Sequence, residues 1–180
     1  IGATENANPP IVLSHEYMGM PTALCALSSF PGQFRTIFYA HEVATMRRIV
    51  EEHPGHDTLF YNVLEKALSE GKYVEDVFGS QMEFYKHPLV EAARFCDNIF
   101  AVGDDVVKEL RFLRKEFKDL HIDLAYNGIP TQKFDADKKR NARQKLQAYA
   151  GTVLGWQPDY LLTHLTRLVI SKGLWRDIRV

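Results

Sequence analysis

The sequence predicts an α/β fold, a doubly wound and mainly parallel sheet followed by the opening of a second one. Short apolar runs recur at Ile11-Val12-Leu13, Phe34 to Ala40, Asn98 to Val102 and Ile122 to Tyr126, and each stops abruptly at polar or glycine residues. Stretches of helical spacing separate them. Strands alternating with helices call for parallel pairing, because a right-handed crossover returns each strand in the same direction.

Pro9-Pro10 opens the first run, which closes at Ser14-His15-Glu16-Tyr17 ahead of a Gly19-Met20-Pro21 breaker. Pro21 suits a first helical turn, and Ala23, Leu24, Ala26 and Leu27 then give an apolar face as far as Ser29. The second strand is rich in β-branched and aromatic residues and ends in His41-Glu42, so the order strand then His-Glu repeats. Parallel pairing would bring His15 and His41 to one edge of the sheet, the carboxyl edge at which open α/β sheets bind ligands.

Val43, Met46, Ile49 and Val50 are spaced as in a helix reaching Glu52, and His53-Pro54-Gly55-His56 breaks the chain. Asp57 is placed as the N-cap of a helix carrying Leu59, Phe60, Val63, Leu64, Ala67 and Leu68, with Gly71 as its stop. A short helix is expected near Val74 to Phe78. A longer one, from Gln81 to Phe95, is kinked or restarted at Pro88, with Leu89, Ala92, Ala93 and Phe95 inward. After the third strand, Gly103-Asp104 opens a helix whose stripe is Val106, Val107, Leu110, Leu113 and Phe117. Asn127-Gly128 closes the fourth strand as a tight loop at the same edge, since no alternating strand follows. Thr131 to Ala150 reads as a polar linker with a helix from about Asn141, and Pro158-Asp159 precede a last strand within Tyr160 to Ile170.

A chain of 180 residues, 46% hydrophobic and with a formal charge of −1, can bury a real core and has no general electrostatic bias. That argues against a dedicated nucleic-acid binder, which needs a basic face, and no apolar run approaches the length of a membrane span. Cys25 and Cys96 stand far apart without metal-ligand spacing and are expected reduced and buried, as in a cytoplasmic protein. The chain opens on Ile1 and stops a few residues into its last helix, so it reads as an excerpt of a longer protein.

Several residues bear on chemistry. Arg167 and Lys172 follow the last apolar run: a planar fork of donors and a mobile point charge that together suit a diphosphate, or else a solvated basic loop. His41 is either a hydrogen-bonded loop residue or a functional one. His15 and Glu16 read as a capping or surface pair, with a role near an acceptor as the second reading; Asn127 and Gly128 serve a turn that tolerates positive φ, or a cleft contact from Asn127. His41, His53, His56 and Asp57 carry the ligand types of a metal-dependent hydrolase, but the Pro54-Gly55 breaker prevents a helical two-histidine face. A non-catalytic α/β binding domain is the third reading.

The order Thr-Arg-Leu-x-x-x-Lys-Gly at residues 166–173 resembles the start of the second domain in GT-B glycosyltransferases, the glycogen and starch synthases and their relatives. IVLSHEYMGMPTAL resembles the segment bearing their His-Asp-Trp pattern, with Glu16-Tyr17 in place of Asp-Trp. IFYAHEVATMRR resembles their strand ending in an active-site histidine, CDNIFAVGDDVVKEL their Ala-Asp-x-x-x-x-Val-Ser segment, and YNGIP their Asn-Gly-Ile-Asp, with Pro130 in place of Asp. The resemblance implies that residues 1–150 are part of a Rossmann-like, acceptor-side domain with its linker, and residues 151–180 the start of a truncated donor-binding domain. It implies retaining transfer from a nucleotide-sugar donor of ADP or UDP type to a glycan or small hydroxyl acceptor. His41 would lie at the donor sugar, and Arg167 and Lys172 would hold the donor diphosphate in place of a metal, with no cofactor. His15, Glu16, Asn127 and Gly128 would face the acceptor or the cleft. A piece that ends at Val180 would be inactive alone, since catalysis in that family takes place between two domains.

Overall fold

The computed structural model describes residues 8–53, 56–131, 133–168 and 172–178, without side chains at 56–58 and 175–176. The chain divides into two compact units, Ile1–Asn127 and Gly128–Val180. The first contains β1 (Ile11–His15), α1 (Glu16–Ser29), β2 (Arg35–Ala40), α2 (Ala44–Glu52), α3 (His56–Ser69), α4 (Val74–Phe78), α5 (Lys86–Glu91), β3 (Asn98–Ala101), α6 (Asp104–Leu113) and β4 (Ile122–Leu124). The second contains α7 (Ala136–Leu154) and α8 (Leu174–Asp177).

All four strands pair in parallel in the order β1-β2-β3-β4, with His15 level with Tyr39 and Ala40 level with Ala101. The α/β class and the parallel sheet expected from the sequence are therefore present, consistent with a Rossmann-like fold. Sequential order has a consequence for layering. Right-handed crossovers that always step the same way deliver their helices to the same face. One face carries Ser14, Thr36, Phe38, Ala40, Ile99 and Ala101, all buried, and its apolar residues share a core with Met20, Val43, Met46, Phe60, Leu64, Leu110 and Phe112. The other face carries Ile11 and Leu13, which are exposed, and Ile37, Tyr39 and Phe100, which are half-buried. Among the described strands the order does not reverse, so the winding expected on both faces is seen on one only.

The turn from β1 into α1 is sharper than the sequence suggests. Helix α1 begins at Glu16, which holds a left-handed φ of +56°, and Pro21 lies inside the helix rather than at its start. Proline there removes only its own N–H bond to the Tyr17 carbonyl, so the Gly19-Met20-Pro21 breaker does not break. Gly19 serves another purpose: a Cβ there would lie 2.7 Å from the Ser14 Cα, so glycine lets the helix fold back across its own strand. The Ser14 hydroxyl donates to the Gly19 carbonyl at 3.1 Å and fastens the same turn.

Other differences have local causes. Cys25 is exposed, not buried, because α1 turns Met20, Ala23 and Ala26 inward; Cys96 is half-buried, and burial pushes its thiol up to about 11. The helix expected over 81–95 is confined to Lys86–Glu91, with Pro88 tolerated in its first turn. It tightens into a 3-10 turn, Ala92–Phe95, that carries Phe95 out to solvent, where Arg94 lies 4.4 Å over its ring. Helix α6 stops at Leu113, and Phe117 reaches the core from a separate 3-10 turn, Lys115–Lys118. Helix α3 begins at His56, which puts Asp57 within its first turn; the Asp57 side chain lies outside the described residues.

In the second unit, α7 is longer than the expected linker helix. Asp135 caps it by accepting from the Lys138 N–H at 2.7 Å, and Gly155 ends it at a φ of +75°. Gln147 and Arg143 donate to the carbonyls of Pro158 and Asp159 at 3.1 Å each, which holds the following segment against the helix. The strand expected within Tyr160 to Ile170 is absent from the described part, 160–168, where Tyr160, Leu162, Leu165 and Leu168 are exposed. A strand needs a neighbour for its backbone groups, and no other strand is described in this unit. Val169 and Ile170 lie outside the described residues.

Candidate functional site

Parallel pairing brings the ends of all four strands to one edge, and the side chains there are joined. His15 Nδ1 and His41 Nε2 lie 2.9 Å apart with the rings 12° from parallel, so one nitrogen donates and the other accepts. Tyr39 packs its ring 4.2 Å from that of His41 and 5.4 Å from that of His15. Its hydroxyl donates to the Ala125 carbonyl at 2.5 Å, which ties the end of β2 to the segment after β4. The Tyr126 hydroxyl donates to Asp104 at 2.8 Å and links that segment to the first turn of α6.

Glu16 completes the arrangement from below. One carboxylate oxygen accepts the backbone N–H of His41 at 2.6 Å and of Glu42 at 2.9 Å. Burial raises the Glu16 carboxyl above its ordinary range, against the opposing pull of those two N–H groups. The sequence thus correctly placed His15 and His41 at one edge, but the surface or capping role read for Glu16 differs from what is seen. It is a buried acceptor for the β2–α2 turn. Neither the join made by Tyr39 nor that made by Glu16 was read from the sequence. The available signals were Tyr39 two residues before His41, hence on the same face, and the small residues Ser14 and Gly19 around Glu16.

Asn127 and Gly128 follow β4 and are exposed, and neither has a positive φ. A Cβ at Gly128 would meet nothing within 4 Å, so the turn does not depend on glycine. Arg167 and Lys172 belong to the second unit and are both exposed, without a hydrogen bond or ion pair among the described residues. Gly173, at a φ of +65°, turns the chain from Lys172 into α8, and His164 meets Asp177 of that helix at 2.6 Å.

The residues named for a metal-dependent hydrolase do not converge. His41 precedes α2 and His53 follows it, and a nine-residue helix separates its ends by about 13 Å. The side chains of His56 and Asp57 lie outside the described residues. Among the described residues no group of three or more His, Cys, Asp or Glu is arranged to hold a metal ion, and no helix is long and apolar enough to cross a membrane. A hollow of about 400 Å³ lies away from the histidine pair, lined by Arg48, His53, Phe78 and Gln81 among others.

Two buried titratable groups stand in the core behind this edge. Glu109 on α6 accepts from the Tyr61 hydroxyl at 2.5 Å and the Val43 N–H at 3.3 Å, faces Arg47 and Asp105, and is pushed by burial to about 7. His87 on α5 meets Thr45 at 3.0 Å, and its Nε2 has no hydrogen-bond partner, lying 3.5 Å from Glu91 and 3.9 Å from Glu75. Burial lowers its pKa below the ordinary 6.5, with Arg114 adding to the effect and the two glutamates opposing it.

Opposite signs of linkage follow. The folded state holds the Glu109 proton more tightly than the unfolded chain, so this group's contribution to stability falls as pH rises from about 4.5 through about 7. The folded state holds the His87 proton less tightly, so its contribution falls as pH drops below 6.5. Below pH 6.5 the two slopes are of opposite sign, and the Glu109 slope spans about pH 4.5 to 7. Urea midpoints for Glu109→Gln should therefore rise with pH more steeply than those of the unaltered chain across this window. A parallel pair of curves would show that Glu109 does not titrate there.

Set against known proteins, the chain matches no family model, no curated protein and no solved structure.

Proposed function

We propose that the protein to which this chain belongs is a retaining glycosyltransferase of GT-B type, passing a sugar from an ADP- or UDP-sugar to a glycan or small hydroxyl acceptor. The observation that carries this reading is the joined His15 and His41 pair at the carboxyl edge of a parallel sheet, in a chain whose later residues are ordered Thr166-Arg167 and then Lys172-Gly173. That edge is where open α/β sheets bind their ligands.

In this reading the bond from the anomeric carbon to the diphosphate breaks with little help from the incoming group, and negative charge grows on the leaving phosphate. Arg167 and Lys172 neutralise it, as fixed donors do wherever charge develops in a transition state. The acceptor hydroxyl enters on the face from which the diphosphate departs and passes its proton to a departing phosphate oxygen, which requires no nucleophilic carboxylate. The bonding of the two glutamates at the site is compatible with that. One oxygen of Glu16 receives two backbone N–H groups, and Glu42 pairs with Arg47 at 3.2 Å.

Calorimetry of the intact protein with ADP-glucose and UDP-glucose, followed by NMR of the anomeric proton in the product, tests the proposal. Binding of one donor and a product of unchanged anomeric configuration are expected. Inversion at the anomeric carbon would overturn the mechanism, and no affinity for any sugar nucleotide would favour a non-catalytic binding domain.

A further inference from the structure

We propose that Glu16 is the positioning residue of the histidine pair, holding the β2–α2 turn so that the His41 ring meets His15; this rests on the reading of that pair as part of a transferase cleft. Three observations converge on it. Glu16 is the one non-glycine residue among those described with a positive φ. Such a backbone is unfavourable for a residue with a Cβ and persists where surrounding contacts demand it. The contacts here are specific: Gly19 clears the space above Ser14, and the Ser14 hydroxyl holds the first turn of α1 in place. Finally, the turn directs a carboxylate sideways under the neighbouring strand, where one oxygen receives two successive backbone N–H groups.

Strained strand-to-helix turns elsewhere display a nucleophile at the top of a sheet. The same local geometry acts differently in this chain. Glu16 is buried, and one of its oxygens is committed to the two N–H groups of the neighbouring turn. It instead fixes the peptide planes at His41 and Glu42 on one side, while the 2.9 Å bond from His15 fixes the His41 ring on the other. The backbone of His41 is thus held from one side and its ring from the other. At metal sites, removing an outer partner that orients a ligating residue costs about 10- to 100-fold, and the same scale is expected for Glu16 here.

Glu16→Gly provides the test, because glycine accepts the left-handed backbone at no steric cost and the fold should survive. In the full chain labelled with 15N, the unaltered protein should show a coupling between the two ring nitrogens across their hydrogen bond, and downfield amide protons for His41 and Glu42. Glu16→Gly should lose the coupling and move both amides upfield while its urea midpoint stays close. Glu16→Gln, whose side-chain oxygen can still accept, should restore part of both signals. In the intact protein, turnover of Glu16→Gly should fall about 10- to 100-fold with the donor KM little changed.

A coupling and amide shifts unaltered in a folded Glu16→Gly variant would overturn the positioning role, whatever the activity. Lost coupling with unchanged turnover would leave Glu16 as the holder of the pair but overturn its bearing on catalysis. An intact protein that transfers no sugar at all would refute the transferase reading separately, since the NMR arm needs no substrate.

Discussion

Replacing Phe38 with alanine is expected to destabilise the first unit by about 3–5 kcal/mol, the range for truncating a phenylalanine in a packed core. Phe38 lies at the centre of β2, fully buried, with β1 on one side and β3 on the other. Its ring belongs to the core that takes in α1, α2, α3 and α6, so the cavity left behind is bordered by several elements and cannot collapse by moving one. Leu13 makes the informative control. It sits on the opposite face of the same sheet and is 46% exposed, so Leu13→Ala should cost well under half as much. Urea titrations of the two variants measure the asymmetry directly. Equal losses would mean that the second face is covered as firmly as the first.

That asymmetry also shows what the sequence could and could not disclose. The four strands were legible because each is an apolar run cut off by polar or glycine residues, and parallel pairing follows from the helices between them. The meeting of His15 and His41 was legible for the same reason, since both end strands of like direction. Which face of the sheet is covered was not legible: Ile11, Leu13 and Ile37 are exposed or half-buried, whereas Ser14 and Thr36, which alternate with them, are polar and buried. Composition records hydrophobicity, and only topology assigns the side.

Other features depend on approach between segments rather than on any residue's own preference. Gly19 followed closely by Pro21 looks like a helix breaker, yet its role is to admit Ser14, which no local rule contains. Glu109 stands between Lys108 and Leu110 on α6, and nothing in that local order marks it as a core position, although it is buried. The segment Tyr160 to Leu168 has the β-branched and apolar content of a strand, but strand formation is conditional on a partner edge. Among the described residues of the second unit that edge is missing, and the propensity goes unused.

Alanine at Arg167 or at Lys172 should each lower turnover of the intact protein about a hundred- to a thousandfold, the scale for removing one group that stabilises charge developing in a transition state. Folding should be nearly unaffected, because both side chains are exposed and neither is paired among the described residues. The two cations are not equivalent. A guanidinium can bind two phosphate oxygens at once through its planar fork, whereas an ammonium is a point charge on a flexible stem, so Arg167→Lys should recover only part of what Arg167→Ala loses. Steady-state kinetics with the donor that binds in calorimetry, read beside urea midpoints, separates the cases. If the cations act on the leaving diphosphate, kcat falls; if they only help to hold the donor in its ground state, KM rises with kcat preserved. Wild-type kinetics in both alanine variants would reduce the pair to a solvated basic loop and remove the support that the Thr166-Arg167 and Lys172-Gly173 order lends to the transferase reading.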